Sequence, residues 1–438
     1  VGARVLIVGG GARGHALAER LLGSPDVERV AFAPGTSALE RLGYTCHPVA
    51  SQDFPGLVEL AEMEEFDLTV VGPNTPLVDG IVDTFEAAGL PIFGPTRAAA
   101  RLEGSKVYGR LLMRSLGVPT PRFGVADNPD RARLMARSHR WARVFKADGI
   151  AYDKGVRVTS SFAECDQAID DVMVDNVYGL ESERVVVEER IDGQEITLFS
   201  LTDGEDVVVM GDVLNYPRLG DGNTGPPTRG MGQVSPAPIL GRGEVEELRR
   251  DILAPTVREL AERGAPLRGA LFLDLMIGPG RRPYVIDYNV RFGDPATQTL
   301  LSAWSGDLYG ALQACRAAPR DGGPGAESTL RRVVGGLHRD PRPRVSLVVV
   351  CEGYPGRFVR GAPISLDEER LRADRDVRVY FDGVRVLSDG ALVTTGGRTL
   401  TLVAVGDTVA EARAKVYDAV GAVSFPGMHY RRDIGAGW

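Results

Sequence analysis

Lysine is scarce in this chain. Of its 51 basic side chains only four, Lys106, Lys146, Lys154 and Lys415, are lysines, and the rest are arginines. Cysteine is equally sparse: Cys46, Cys165, Cys315 and Cys351 lie far apart, which excludes a disulfide framework and a cysteine metal cluster and leaves ordinary buried thiols. No apolar run approaches the ~20 residues of a membrane helix. The opening residues read as a buried strand rather than a secretory leader, so a cytoplasmic protein is expected. Positive charge is not in excess, for the formal charge is -8, and this argues against nucleic acid as the main partner. With five histidines and no convincing Ser-His-Asp or Cys-His constellation, no covalent nucleophile is expected.

The biased basic composition gives three of the lysines meaning. Lys106, Lys146 and Lys154 fall in one short stretch, each with glycine nearby. An ammonium is a compact point charge that rests against a phosphate oxygen, where the wider guanidinium fork needs a different geometry. These three therefore point to a nucleotide-phosphate site.

A chain of 438 residues has room for roughly three domains. Arg4–Val8 is a continuous apolar run suited to a parallel strand, followed by a Gly9–Gly14 turn and a helix that carries His15. The turn fits a dinucleotide fingerprint, but the next strand, Arg29–Pro34, ends without the acid that binds a nicotinamide ribose, which argues against a dehydrogenase. A glycine turn feeding a helix still suits the phosphate of another ligand, and His15 reads equally as a satisfied helix residue or a substrate contact. Further along, a glycine-rich turn at residues 148–155 suits a flap over phosphates. Val185–Glu189 reads as a strand ending in Glu188 and Glu189, a hinge able to face an adenine. The Leu219–Gly232 stretch is too long for a simple turn. Paired strands at Ala270–Met276 and Tyr284–Tyr288 bring Asp274, Asp287 and Asn289 together, hard oxygen ligands of the kind magnesium takes beside phosphates. Gly322–Gly325 reads as a linker, and Arg344–Cys351 opens a last, strand-rich domain.

Gly94-Pro95-Thr96, Lys146–Gly149, Glu188-Glu189 with Asp192-Gly193 and Glu195, Gly220-Asp221-Gly222, Gly230–Gly232 and Asn289–Pro295 together resemble the phosphoribosylamine-glycine ligase family, and Glu352–Gly356 and His429–Gly435 carry the likeness to the end. The resemblance implies an α/β and α+β multidomain ATP-grasp fold: a Rossmann-like N-terminal domain (1–103), a central ATP-grasp domain (104–121 and 195–325), its lid (122–194) and a β-rich C-terminal domain (326–438). It implies ATP with Mg²⁺ or Mn²⁺, and small-molecule substrates, a carboxylate such as an amino acid and an amine on a sugar phosphate, in a monomer or small homo-oligomer. For the nucleotide it implies Lys106, Lys146, Asp148, Gly149, Lys154, Glu188, Glu189, Ile191 and Glu195; for the metal, Asp287 and Asn289 with Asp274. Arg291 and Asp294 stand at the reacting groups, with an Arg291–Asp294 salt bridge as the plain structural alternative. Substrate contacts are implied at Gly11, Arg13, His15, Pro34, Gly35, Asn74, Arg218, Asn223, Thr224, Arg229, Gly230, Met231 and Arg291.

Several positions depart from the family pattern. Gly14 and Ala296 replace acids, Asn74 stands for glutamate, Asn223 and Arg229 alter the central loop, Asp274 replaces glycine, Asp287 replaces glutamate, and Asp153 replaces a flap glycine. Five of these, Gly14, Asn74, Asn223, Arg229 and Ala296, fall in segments assigned to the substrates, so an altered substrate pair, one bearing an extra anionic group opposite Arg229, is expected. The alternatives are a phosphoribosylamine-glycine ligase of purine synthesis and a nucleotide-binding homologue without turnover.

Overall fold

The computed structural model describes residues 2–150, 155–175, 177, 184–317 and 327–438. The turn residues Asp153 and Lys154 and the glycine linker 322–325 lie outside the described residues.

The first apolar run forms β1 (Ala3–Gly9), the centre of a five-stranded parallel sheet with β2 (Val27–Pro34), β3 (Thr45–Cys46), β4 (Leu68–Val71) and β5 (Ile92–Phe93) in the order β3-β2-β1-β4-β5. Val5 to Val8 are wholly buried, as a strand covered on both faces requires. β3, two residues long, escaped the sequence reading for want of any pattern. The chain leaves β1 through Gly9, whose φ of +124° disfavours a side chain, and enters α1 (Ala12–Leu21) past Gly10. A Cβ on Gly10 would sit 2.6 Å from the Gly35 carbonyl oxygen, so glycine there lets the ends of β1 and β2 meet.

The lid is a four-stranded antiparallel sheet, β6 (Phe123–Ala126), β7 (Ala142–Ala147), β8 (Val156–Val158) and β9 (Val185–Glu189), in the order β6-β9-β7-β8. Two helices, Pro129–Ser138 and Phe162–Ile169, close a small core around Phe145, Ile169 and Val187.

The central sheet is antiparallel, built from β10 (Gln194–Asp203), β11 (Val207–Asn215), β14 (Gly232–Ser235), β15 (Arg268–Ile277) and β16 (Pro283–Asn289); β12 (Arg218–Gly220) and β13 (Thr224–Pro227) form a separate ribbon between β11 and β14. The last, strand-rich part of the chain is continuous with this sheet. Its strands Arg344–Val350, Arg398–Val405 and Val377–Phe381 join β14, extending the central sheet to eight strands. The N-terminal sheet meets this sheet through aromatic stacking: Phe93 of β5 lies 5.6 Å from Phe292, which touches Phe199, itself stacked on Phe272 at 4.6 Å. Each such pair contributes roughly 0.5–1.5 kcal/mol beyond its burial. The stack fixes the Asn289–Asp294 turn where the site forms.

Candidate active site

A cleft of about 310 Å³ lies between the β15–β16 hairpin, the flap around Ala147–Ile150, and the Pro227–Gly230 segment. Asp274 and Asp287 are register partners across the hairpin, and with Asn289 and Arg291 they line its floor.

At the flap end, Lys106 opens the helix Lys106–Ser115, with Ser105 as its N-cap. Lys106 forms an ion pair with Asp287. One turn on, Arg110 lies on the same helix face and reaches β16 and β9, donating to the carbonyls of Val285 (2.8 Å) and Ile286 (2.7 Å) and to Glu188 (2.8 Å). Lys146 is a diagonal neighbour of Glu188 across the β7–β9 ladder; its ammonium lies 3.1 Å from that carboxylate and donates to Ile286 O at 3.1 Å. Burial lowers the Lys146 pKa, and Glu188 opposes the shift. The Glu188 side chain is therefore a buried counter-ion, and Ala147, not Lys146, lines the open cavity.

Three other nucleotide-site expectations change character. The Asp148 carboxylate accepts from Ser105 Oγ (2.8 Å), Val107 N (3.1 Å) and Arg184 (2.7 Å), so it ties flap to helix. Glu189 pairs with Arg122 at the surface (2.7 Å), and Ile191 packs near Gly278. Gly149 and Glu195 do line the cleft.

In the middle, Asp274 accepts from Thr197 (2.5 Å) and from the Asn289 amide (2.7 Å), while Asn289 Oδ1 accepts from Arg291 (3.1 Å). Burial pushes Asp274 up to about 6. Burial, with Asp274 adding, pushes Glu195 up to about 7. The Arg291 guanidinium lies 3.2 Å from Glu103, which also accepts from Asn74 (3.1 Å) and Val290 N (2.8 Å). In place of the alternative Arg291–Asp294 bridge stand two others: Arg291 with Glu103, and Asp294 with Arg398. Glu103, which the sequence reading missed as a site residue, lies within the Leu102–Lys106 lysine motif, the one signal that could have found it.

At the far end, burial works to raise Asp294, but Arg398, Arg229 and Arg13 outweigh it and hold the carboxyl below the usual range. Arg13, pushed down to about 9 by burial, donates to Phe292 O at 2.9 Å. Arg398 and Asp382 come from the last part of the chain, and no motif had singled them out.

Other expected substrate residues lie elsewhere. His15 packs against Tyr380 and Phe381, accepts from Phe381 N (3.3 Å), and is pushed down to about 4 by burial, so it is a neutral packing residue between α1 and the last strands. Met231 is fully buried with Val348 and Val350. Arg218, Asn223 and Thr224 shape the β12–β13 ribbon: Arg218 donates to Gly225 O (2.7 Å), and Asn223, at φ +57°, accepts from Arg431 (3.4 Å). Pro34 and Gly35 sit at the end of β2, outside the cavity lining, while Gly11 caps α1 opposite Asp382. Cys46 is half-buried, unlike the other three thiols.

The oxygens of Asp287, Asp274 and Asn289 face one cavity from adjacent strands, a donor set that fits a hard divalent cation whose shell is completed by phosphates. Among the described residues no group of three or more His, Cys, Asp or Glu side chains stands ready to hold a metal by itself.

Residues 3–103, 104–297 and 344–437 match, in turn, the N domain, the ATP-grasp (A) domain and the C domain of phosphoribosylglycinamide synthetase. The chain belongs to the phosphoribosylglycinamide synthetase family. It is an ATP-grasp ligase that forms an amide bond. It is 38% identical to the phosphoribosylamine–glycine ligase of Vibrio cholerae, over 99% of this chain and 97% of that protein, and 35% identical to that of Caldanaerobacter subterraneus, over 99% and 100%. The crystal structure of the Thermotoga maritima phosphoribosylamine–glycine ligase superposes with a TM-score of 0.79 at 31% identity, covering 99% of this ligase and 100% of that chain. The Campylobacter jejuni biotin carboxylase, at 14% identity and TM-score 0.71 over 97% and 92%, shares the fold. No helix among the described residues of the ligase is long and apolar enough to cross a membrane.

Proposed function

We propose that the chain joins glycine to phosphoribosylamine with ATP, releasing ADP and phosphate. The observation that carries this reading is similarity to phosphoribosylamine–glycine ligases over 99% of this chain and 97–100% of theirs. The same comparisons give no support to an altered substrate pair. Two of the five departures that motivated one are absorbed by the fold. Gly14 is buried, its missing Cβ facing the Phe32 ring at 3.2 Å, and Asn223 is a ribbon turn. Arg229 is offset by Asp294, so its charge does not demand a second anion from the substrate. Asn74, Arg229 and Ala296 alone of the five line the cleft.

A carboxylate is a poor acyl donor, so it is first phosphorylated, and the amine then displaces phosphate from the acyl phosphate. Lys106 and Lys146 neutralise charge on the nucleotide phosphates, and the flap around Gly149 excludes water. Arg291, oriented by Glu103 and Asn289, holds the phosphoryl group or carboxylate in line. Asp274, Asp287 and Asn289 would hold a divalent cation, which when bound supplies further charge neutralisation between phosphates. The test is turnover: phosphoribosylamine generated in situ, glycine and ATP, with ADP and the amide measured. A kcat/KM of about 10⁴ M⁻¹s⁻¹ or more is expected. ADP release with other amino acids or amines but not with this pair would overturn the proposal.

A further inference from the structure

We propose that Gln233 is a positioning residue that acts through Asn215 and Thr197 to fix the Asp274 carboxylate in the cleft. The inference rests on the ligase reading above, in which Asp274 would help to hold a divalent cation beside the nucleotide. One face of the central sheet carries a row of polar side chains across successive strands. Asp287 and Asp274 are register partners on β16 and β15, Asp274 and Thr197 on β15 and β10, Asn215 and Gln233 on β11 and β14, and Gln233 and Ser346 on β14 and the strand Arg344–Val350. Asn215 closes the one gap, diagonal to Thr197 across the β10–β11 ladder. Thr197, Asn215, Gln233 and Asp274 all line the cleft.

The row is hydrogen-bonded end to end, and chemistry sets its direction. Thr197 Oγ1 donates to Asp274 Oδ1 (2.5 Å), Asn215 Nδ2 to Thr197 Oγ1 (2.8 Å) and Gln233 Nε2 to Asn215 Oδ1 (2.8 Å). Gln233 Oε1 in turn accepts from Thr299 Oγ1 (2.9 Å), which lies 2.9 Å from Ser346 Oγ. An ionised carboxylate only accepts, so Thr197 points its single proton at Asp274 and takes its other bond from an amide nitrogen. That turns the Asn215 oxygen to Gln233 and the Gln233 oxygen to Thr299; the same Asn215 nitrogen also donates to Glu195 Oε1 at 3.3 Å, which fits this orientation. Thr197, Gln233 and Thr299 are buried, where an unmet polar group is costly, so each bond fixes the next. An apolar residue at 233 would fill the space but leave the Asn215 amide free to turn. At its other oxygen, Asp274 accepts from Asn289 at 2.7 Å. The carboxylate is thus clamped between two donors, and one of them is oriented by a residue three strands away.

The test is titration of the full chain with Mn²⁺ in the presence of ADP, read by electron paramagnetic resonance, for the wild type, Thr197→Val, Thr197→Ser, Gln233→Glu and the Thr197→Val, Gln233→Glu double variant. ADP without metal is titrated in parallel by calorimetry. Thr197→Val removes the donor to Asp274, and losing such an outer hydrogen bond is expected to weaken Mn²⁺ binding about ten- to a hundredfold. Thr197→Ser restores the hydroxyl and with it the affinity. Gln233→Glu keeps the side-chain volume but offers Asn215 no donor, so the Asn215 amide turns and Thr197 faces two acceptors with one proton; a loss of about tenfold is expected. Because both substitutions act through one bond, the double variant binds Mn²⁺ no more weakly than Thr197→Val. ADP alone binds every variant as it binds the wild type. Wild-type Mn²⁺ affinity in Gln233→Glu, additive losses in the double variant, or a wild type that takes up no Mn²⁺ with ADP overturns the role of Gln233. A parallel loss of metal-free ADP binding marks a structural role and overturns it too. Gln233→Glu decides the matter by itself where Thr197→Val fails to fold. Mn²⁺ binding that depends on Gln233 in a wild type that forms no amide from glycine and phosphoribosylamine overturns the ligase reading alone.

Discussion

Lys106 and Asp287 are paired across the cleft floor, although one is suited to a phosphate and the other to a divalent cation. The ammonium takes the place at Asp287 that a cation would take. Burial works to raise the Asp287 carboxyl, but Lys106 and Lys146 overcome it and hold it low, so the acid is ionised and already neutralised.

Replacing Lys106 should therefore uncover the cation site. In the absence of nucleotide, Lys106→Met is expected to bind Mn²⁺ several-fold more tightly than the wild type, as followed by electron paramagnetic resonance of the free ion. Identical titrations would show that the pair does not guard Asp287. With nucleotide present the order reverses, because the variant lacks a phosphate partner.

Lys146→Ala should weaken nucleotide binding roughly ten- to a hundredfold, the effect of losing one charge-assisted contact of about 1.5–3 kcal/mol. Arg110 still neutralises Glu188 in this variant, so the fold survives. Calorimetry with ADP measures it; unchanged affinity would remove Lys146 from the phosphate site.

Arg110→Met leaves Glu188 with Lys146 alone and takes one donor from each of the Val285 and Ile286 carbonyls, which keep Thr120 and Lys146. Breaking a buried ion pair from one side costs about 3–5 kcal/mol. A clear drop in melting temperature is expected, well beyond that of Arg122→Met, whose partner Glu189 lies at the surface.

The Glu195 carboxyl, raised from 4.5 to about 7, predicts a pH signature. A raised acid pKa means that the fold favours the proton, so this contribution to stability is fully present below about 4.5 and is lost as pH rises through about 7. Glu195→Gln has no such dependence. In metal-free protein, the stability of the wild type relative to Glu195→Gln should fall by about 2–3 kcal/mol between pH 5 and pH 8, read by denaturant unfolding. A constant difference would mean that Glu195 is solvated like a surface acid.

The sequence was most readable where local chemistry is repetitive. The Val5–Val8 run and the paired strands bearing Asp274 and Asp287 carry their element type within a few residues. What stayed hidden was long-range partnership. Glu103 meets Arg291, and Arg398 meets Asp294, across 188 and 104 positions, and no periodicity encodes such pairings. His15 misled for the same reason: it follows the glycine turn, but Tyr380 and Phe381 from the far end of the chain decide its surroundings. Substitutions that looked like changes of substrate, Gly14 and Asn223, answer instead to packing and turn geometry.

The eight-stranded sheet constrains how the enzyme opens. Because Arg344–Leu347 pairs with β14 on one side and Arg344–Val350 with Arg398–Val405 on the other, the strands that carry Arg398 cannot swing without tearing ladder bonds. The lid sheet, by contrast, shares no strand with it. Breathing of the cleft therefore falls to the lid, a one-sided jaw closing on a fixed anvil. The anvil can exchange side chains over evolutionary time without disturbing the hinge, leaving the capture of ATP and the choice of its acceptor free to evolve separately.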